Sequence, residues 1–151
     1  IRELYKYVRF DWVMFANSFT IYRHPWEILS FMDRLDRDGV GIINSAVFHG
    51  GFLTGGEKFD YREVDPASES GRKLHAWRSA YTELCGNFGI LPGDAAMHFA
   101  LSHPAVVSLA LNTSKADTMD RNVEILQQEI PRSFWTAMKE KGLIDPAYTY
   151  L

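Results

Sequence analysis

Three short stretches place polar or glycine residues directly after an apolar run. They span residues 17–19, 44–56 and 112–117. In proteins built from alternating strands and helices, ligands bind at the carboxyl ends of parallel strands. If each apolar run is a strand, the three stretches lie at one edge of a sheet and form the first place to look for chemistry.

The second stretch is rich in glycine, with Gly50, Gly51, Gly55 and Gly56 within seven residues. Glycine lets the backbone approach a ligand closely and exposes N–H groups, which suits a pyrophosphate. A flexible loop that needs unusual dihedral angles accounts for the same residues. Neither the Walker A pattern nor G-x-G-x-x-G is present, so the common phosphate motifs do not decide between the two interpretations.

The third stretch contains Asn112, Thr113, Ser114 and Lys115 and runs into a predicted helix. Free N–H groups and the helix dipole favour an anion at such a helix start, and Lys115 adds positive charge. The S-x-x-D pattern that begins at Ser114 also matches a capping box. A plain helix cap therefore explains these residues equally well.

The other reactive residue types form no recognisable constellation. The five histidines lack metal-ligand spacing, so no metal site is predicted. His49 stands at the mouth of the glycine-rich loop and is the one histidine expected near a ligand, whereas His103 before Pro104 reads as structural. Cys85 falls on a helix stripe and is expected in the core.

Composition excludes several classes of protein. The net charge is -3 with no long basic run, which argues against a nucleic-acid or membrane surface. No apolar stretch approaches the roughly 20 residues that cross a bilayer. The single cysteine fits a reducing compartment and the charged opening residues show no secretory signal, so a cytoplasmic protein is expected.

The elements that would position these stretches follow from hydrophobic periodicity. Residues 11–19 and 40–48 are nearly continuous apolar runs and predict strands buried on both faces. A helix that starts at Pro25 and stops at Gly39 separates them. Its apolar stripe consists of Ile28, Phe31, Met32 and Leu35.

The remaining pattern predicts further helices and one more strand. A short amphipathic segment opens the chain, with Leu4, Tyr7 and Val8 on one face. The later elements are a loop at 49–67, helices at 68–88 and from Pro92, a strand at 105–111, a helix to Gln128 with the stripe Met119, Val123 and Leu126, a helix from Pro131 to Gly142, and an irregular tail.

Strands that alternate with helices indicate an α/β fold with a parallel sheet. Three strands cannot close a barrel, and they leave two apolar edges open. We therefore expect either a piece of a larger protein or an obligate partner. The absence of an initial Met suggests in the same way a processed, nicked or truncated chain.

Several segments together resemble the aldo-keto reductase family. Residues 40–56 (VGIINSAVFHGGFLTGG) resemble its seventh-strand segment, residues 103–124 its eighth strand and following helix, and residues 15–22 its sixth strand. The tail patterns at 130–135 and 142–146 are most similar to the subgroup with D-threo-aldose 1-dehydrogenase, L-fucose dehydrogenase and pyridoxal 4-dehydrogenase. The resemblance covers nearly the whole chain.

The resemblance implies a partial (β/α)8 TIM barrel that holds strands six to eight, with residues 1–151 as one incomplete domain. The family's catalytic Asp, Tyr, Lys and His lie on earlier strands, so we assign no catalytic residue here. The N-terminal half of the barrel is then the expected partner, as part of the same protein or as a second chain.

The resemblance also implies a site for NAD or NADP. Pyrophosphate and nicotinamide would lie against Ser45, Ala46, Phe48, His49 and Gly50. Adenosine would lie against Asn112, Thr113, Ser114, Thr118, Arg121 and Asn122.

This sequence departs from the family at several of these positions. Many members place Lys or Arg where a 2′-phosphate is held, but Asn112, Ser114 and Thr118 stand here, which favours NAD over NADP. Val47 replaces the usual proline of the turn. Ser45 replaces a frequent aromatic residue that stacks on nicotinamide.

The whole protein is then expected to move a hydride between the cofactor and a small sugar or carbonyl substrate, with this chain inactive alone. A second hypothesis is a non-enzymatic half barrel that self-associates through its open sheet edges and keeps at most residual nucleotide binding. A third is a full-length enzyme that was nicked.

Overall fold

The computed structural model of the protein describes residues 1–113 and 116–151. Two single turns of 3₁₀ helix lie at Leu4–Lys6 and Phe52–Thr54. The strands and helices, in chain order, are β1 (Trp12–Ala16), α1 (Trp26–Arg37), β2 (Gly41–Ser45), β3 (Lys58–Phe59), β4 (Arg62–Glu63), α2 (Glu69–Phe88), α3 (Pro92–Leu101), β5 (Val106–Ala110), α4 (Ala116–Leu126) and α5 (Arg132–Glu140).

A three-stranded parallel sheet with the strand order β1-β2-β5 forms the centre of the molecule. Phe15 lies opposite Asn44, and Ser45 is paired with both Ala16 and Ala110. The predicted α/β fold with a parallel sheet is confirmed. Because β1 and β5 are the outer strands, each has one edge without a partner strand in the described part of the chain.

The sheet is buried on one face only, which corrects the prediction of strands buried on both faces. Val13 and Phe15 of β1 are buried, whereas Trp12 and Met14 are 59% and 48% exposed. On β5, Val107 is 67% exposed. The reason is that α1 and α3 pack against one side of β2 and β5, while no layer of the described residues covers the other side.

Helix α1 carries the predicted apolar stripe, with Phe31, Met32 and Leu35 buried. The Phe31 ring stacks on Phe15 of β1, with centroids 6.2 Å apart. Pro25 is the N-cap and not the first helical residue, so the helix begins one residue later than predicted. These contacts attach α1 to the covered face of the sheet.

Helix α2 begins and ends where the sequence predicts. Pro131 is the N-cap of α5 and not its first residue, and α4 ends at Leu126 and not at Gln128. Ser68 caps α2 by accepting a hydrogen bond from the Gly71 N–H at 3.0 Å, and Gly89 ends it with φ at 67°. In α5, Phe134, Trp135 and Met138 are buried as expected. Caps and apolar stripes are local signals, which is why they transfer well from sequence to structure.

Two predicted apolar faces are not packed into the core. Near the N-terminus Tyr5 is buried, while Leu4, Tyr7 and Val8 are exposed. The Tyr5 hydroxyl donates to Asp38 at 2.7 Å, a partner 33 residues away that local periodicity does not reveal. In α4 Ile125 is buried, whereas the predicted stripe residues Met119 and Val123 are exposed and line one surface cleft together with Leu126.

The predicted loop at 49–67 is more ordered than expected. It contains one 3₁₀ turn and the two-stranded antiparallel hairpin β3–β4. The tail after α5 has no helix or strand, as predicted, yet Leu143, Ile144 and Tyr148 are buried. The Tyr148 ring stacks on Phe99, with centroids 5.0 Å apart.

Among the described residues, no helix combines the length and the apolar character that a bilayer crossing requires.

Candidate functional site

The carboxyl ends of all three parallel strands lie at one edge of the sheet. The strand register places Ala16, Ser45 and Ala110 side by side. The Asn17 N–H donates to the Ser45 carbonyl at 3.1 Å, so the chain leaves β1 and β2 together. The three polar stretches singled out in the sequence are therefore neighbours.

The turn after β2 reverses the chain sharply. Ala46, His49, Gly50 and Gly51 all have positive φ, at 55°, 50°, 69° and 91°. Two hydrogen bonds close the turn, from the His49 N–H to the Ala46 carbonyl and from the Gly51 N–H to the Phe48 carbonyl, each at 3.1 Å. Left-handed residues at such density are typical of backbone that faces a ligand.

A cleft of about 490 Å³ opens between the end of β5 and α4. A neighbouring cleft of about 460 Å³ lies between the turn after β2 and the end of β5. The two clefts share Leu111 and Asn112. They are therefore adjacent.

The smaller cleft brings together most of the residues predicted to hold pyrophosphate and nicotinamide. Ser45, Ala46, Phe48 and Gly50 line one side of it, and Asn112 lines the other. The larger cleft collects part of the predicted adenosine site, with Asn112, Thr113 and Asn122 in its walls. Residues 67 positions apart in the chain, Ser45 and Asn112, thus share one cleft.

The cleft also fits the chemistry of an anion. Within the described residues, the N–H groups of Val47, Phe48 and Gly50 have no hydrogen-bond acceptor. All three residues line the smaller cleft. Clustered backbone N–H groups without a partner favour negatively charged oxygens, so the donor set suits a pyrophosphate.

His49 differs from its expected position at an open loop mouth. Its side chain is completely buried. The Thr20 hydroxyl lies 2.8 Å from Nε2, and Asp60 Oδ1 lies 2.9 Å from Nδ1. Burial lowers the pKa of His49, so the ring is neutral. Both ring nitrogens are occupied, the backbone N–H donates to Ala46, and the carbonyl accepts from Asp60. His49 therefore holds the turn in place and does not line the smaller cleft.

The partners of His49 decide its tautomer. The Asp60 carboxylate can only accept, so the single ring proton is assigned to Nδ1, and Nε2 accepts from the Thr20 hydroxyl. The His49 ring also stacks on Phe59, with centroids 4.3 Å apart. This network ties the turn after β2 to the end of β1 and to the hairpin.

The other predicted site residues are bonded elsewhere in the protein, do not line the two clefts, or lie outside the described residues. The Ser45 hydroxyl donates to the Phe15 carbonyl at 2.8 Å and is thus engaged within the sheet. The Arg121 guanidinium reaches Asp94 of α3 at 3.4 Å, and burial raises the pKa of Asp94. Neither Arg121 nor Thr118 lines the two clefts. Ser114 lies outside the described residues, and its role stays a prediction.

Sequence reasoning missed Thr20, Asp60 and Tyr61. Asp60 and Tyr61 form the tip of the β3–β4 hairpin, and Tyr61 lines the smaller cleft. Short apolar-polar alternation around an aspartate is a weak hairpin signal that could have located them. Thr20 carries no such signal, because its partner His49 lies 29 residues away.

Cys85 and His103 lie where the sequence suggests. Cys85 is buried, and burial raises the pKa of its thiol to about 11, which fits a core residue. His103 is buried and accepts the Ala105 N–H at 3.2 Å, a structural arrangement. In the described part of the chain, no three His, Cys, Asp or Glu side chains converge on a point where a metal ion could be held.

Residues 1–142 match the profile of the Aldo/keto reductase family. The chain belongs to this family. It is 29% identical over 150 residues to the pyridoxal 4-dehydrogenase of Microbacterium luteolum, a match that covers 95% of this chain and 41% of the relative. The resemblance inferred from sequence motifs is thereby confirmed.

Solved structures show the same fold. An aldo-keto reductase from Bacillus halodurans superposes in its holo form with a TM-score of 0.67 at 16% identity, covering 98% of this chain and 47% of the other. Its apo form gives a TM-score of 0.66 with 98% and 48% coverage. The chain thus spans less than half the length of the relatives it matches.

Proposed function

We propose that this chain is the cofactor-binding part of an NAD(P)-dependent oxidoreductase that interconverts an aldose, or another carbonyl or lactol compound, and its oxidised or reduced form. The observation that carries the proposal is the cleft at the strand ends. There the turn after β2 and the end of β5 meet around unpaired backbone N–H groups. Family membership supports the class of reaction.

The two clefts suggest how the dinucleotide lies. The N–H groups of Val47, Phe48 and Gly50 would hold the pyrophosphate. Asn112 and Asn122 would border the adenosine in the larger cleft. The cofactor, when bound, supplies the hydride chemistry, and the protein supplies binding and orientation. The residues of this chain therefore bind and orient, and none acts as a general acid.

We further propose a preference for NAD over NADP. The described walls of the larger cleft contain Asn112, Thr113 and Asn122 but no cation. Arg121 is paired with Asp94 on α3. A 2′-phosphate is bound most tightly by Arg or Lys, so a wall of neutral side chains favours the cofactor without it.

The sheet suggests what completes the protein. Its open face carries Trp12, Met14 and Val107, and the chain spans 41% of its dehydrogenase relative. We propose that β1, β2 and β5 are strands six to eight of a (β/α)8 barrel. The N-terminal half of that barrel would cover the open face, supply the catalytic residues and bind a small sugar or carbonyl substrate in the cytoplasm.

Titration calorimetry of the chain with NAD and with NADP tests cofactor binding. We expect heat with NAD and weaker binding of NADP. Ala110→Trp fills the smaller cleft and should abolish the heat. Ala76→Trp, on the exposed side of α2, is the matched control and should leave it unchanged. No heat with either cofactor on the unaltered chain would contradict the proposal.

Complementation tests the activity. The chain is mixed with the N-terminal half of its protein, and sugar-dependent reduction of NAD is followed. We expect activity from the mixture and none from either half. A mixture that binds NAD but shows no turnover above the separate halves would exclude the oxidoreductase assignment in this form.

The exposed apolar face favours one second candidate, a half barrel without enzymatic activity that self-associates through this face. Trp12 and Val107 would then be buried between copies. Sedimentation equilibrium distinguishes the two functions. Oligomers that persist in the presence of the N-terminal half and bind no nucleotide would support the second candidate.

A further inference from the structure

The tip of the β3–β4 hairpin holds an unusual pair of residues. Asp60 and Tyr61 have φ of 49° and 67°. Residues other than glycine, asparagine and aspartate rarely adopt this left-handed conformation. Tyr61 nevertheless adopts it, lines the smaller cleft and is 83% exposed. An aromatic ring at the rim of a ligand cleft is in position to contact what binds there.

The hairpin tip is anchored to the turn that lines the cleft. The Asp60 N–H donates to the His49 carbonyl at 3.1 Å, and the Asp60 carboxylate accepts from His49 Nδ1 at 2.9 Å. A Cβ on Gly50 would come within 3.2 Å of the Tyr61 nitrogen, so the two backbones are in close contact. The position of Tyr61 is therefore coupled to the cleft wall through buried His49.

The other aromatic residue of this cleft is less suited to the same task. Phe48 lines the cleft too, but it is half-buried and packs against the hydrophobic core. Tyr61 keeps most of its ring in solvent, so it has the larger surface to bury on a ligand. Burial of an exposed aromatic ring against a planar partner is favourable.

We propose that the Tyr61 ring covers the nicotinamide dinucleotide bound in the smaller cleft and contacts one of its planar rings. This inference rests on the proposed function. It assigns to Tyr61 a binding role that the sequence motifs do not indicate. It also gives a reason for a tyrosine at a left-handed position where glycine or asparagine would fit without strain.

The experiment measures NAD affinity by calorimetry and the thermal unfolding midpoint of the same samples. Tyr61→Ala is expected to weaken NAD binding about tenfold, and Tyr61→Phe, which keeps the ring, to stay within about twofold. Tyr61→Gly relieves the left-handed strain, so its midpoint should rise while its affinity falls. Tyr7→Ala removes an equally exposed tyrosine, 84% against 83%, that lines neither cleft, and should change nothing.

Each outcome bears on the proposal. Opposite shifts of stability and affinity in Tyr61→Gly would support it, because a purely structural residue cannot lose binding while the fold gains stability. Unchanged affinity in Tyr61→Ala and Tyr61→Gly would overturn it and leave the proposed function intact. Loss of stability and affinity together in Tyr61→Gly would also overturn it. An unaltered chain that does not bind NAD would overturn both proposals.

Discussion

The two faces of the central sheet have similar residue types but opposite environments. Val13 and Phe15 of β1 are buried beneath helices, while Trp12 and Met14 of the same strand face solvent. Successive side chains of a strand point to opposite faces, so a sheet that is apolar on both sides needs a layer on each. Only one layer lies within the described residues.

The covered face carries the contacts that stabilise the fold, and the open face has no covering layer within the described residues. On the covered side, Phe15 stacks on Phe31 and Asn44 donates to the carbonyls of Phe19 and Ala100. On the open side, Val107 lies over Gly41, where a Cβ would come within 3.1 Å of the valine. Apolar side chains packed beside one another without a covering layer stabilise little by themselves.

The largest expected difference in the free energy of unfolding is between substitutions at two methionines, one on each side of the sheet. Met32 of α1 is completely buried against the covered face, whereas Met14 is 48% exposed on the open face. Met32→Ala should lower the free energy of unfolding by about 2–5 kcal/mol, and Met14→Ala should change it by no more than about 0.5 kcal/mol. Urea unfolding of both variants measures this. Equal costs would show that the open face is covered in solution.

Two neighbouring polar residues of β2, Asn44 and Ser45, allow the two faces of the sheet to be compared for polar side chains. Asn44 is buried, and its amide donates to two carbonyls at 2.9 and 3.1 Å. Ser45 points to the other face and donates to the Phe15 carbonyl. Asn44→Ala leaves two buried carbonyls without a donor and should cost about 1–3 kcal/mol. Ser45→Ala should cost less than about 1 kcal/mol, and the reverse order of unfolding midpoints would contradict the assignment of faces.

Acidification should lower the free energy of unfolding of the protein. Burial lowers the pKa of His24, His49 and His103 below the ordinary value of 6.5. Below pH 6.5 the unfolded chain therefore binds more protons than the folded one, and stability falls as the pH decreases. The urea midpoint should drop between pH 7.5 and pH 5.5, and less so in His49→Gln. A midpoint that rises on acidification would refute the neutral state of these rings.

A substitution on the open face is expected to have the smallest effect on the free energy of unfolding. It should nevertheless change self-association. Trp12→Lys should leave the free energy of unfolding within about 0.5 kcal/mol and increase the monomer fraction in sedimentation equilibrium. Trp26→Lys, at a tryptophan that is also exposed but lies on α1, is the matched control. If both variants change the monomer fraction alike, the open face is not a specific contact surface.

Much of the fold could be predicted from the sequence, because its signals are local. The stripe of α1, the Ser68 cap and the glycine stops at Gly89 and Gly142 depend on residues within one or two helical turns. The resemblance predicted cofactor contacts at the turn after β2 and at Asn112. Ser45, Ala46, Phe48, Gly50 and Asn112 line one cleft, whereas His49 does not, and cofactor binding there stays a prediction.

The structural features that the sequence did not predict depend on contacts between residues far apart in the chain. The exposed stripe of α4, the buried Tyr5 and the packed tail could not be predicted from local periodicity. The hydroxyl of Tyr5 bonds to Asp38, and the Trp77 indole donates to the Leu143 carbonyl across 66 residues. Such pairings arise only when the helices assemble.

The sequence by itself determined the order of the parallel strands and the helices, the family, and the turn after β2, but not the β3–β4 hairpin. The tertiary structure decided which face of the sheet is covered, that His49 is buried and neutral, and that Tyr61 lies at the rim of the cleft. The physical reason is that periodicity and turn residues act over a few positions, whereas burial is decided by whatever the rest of the chain places on top.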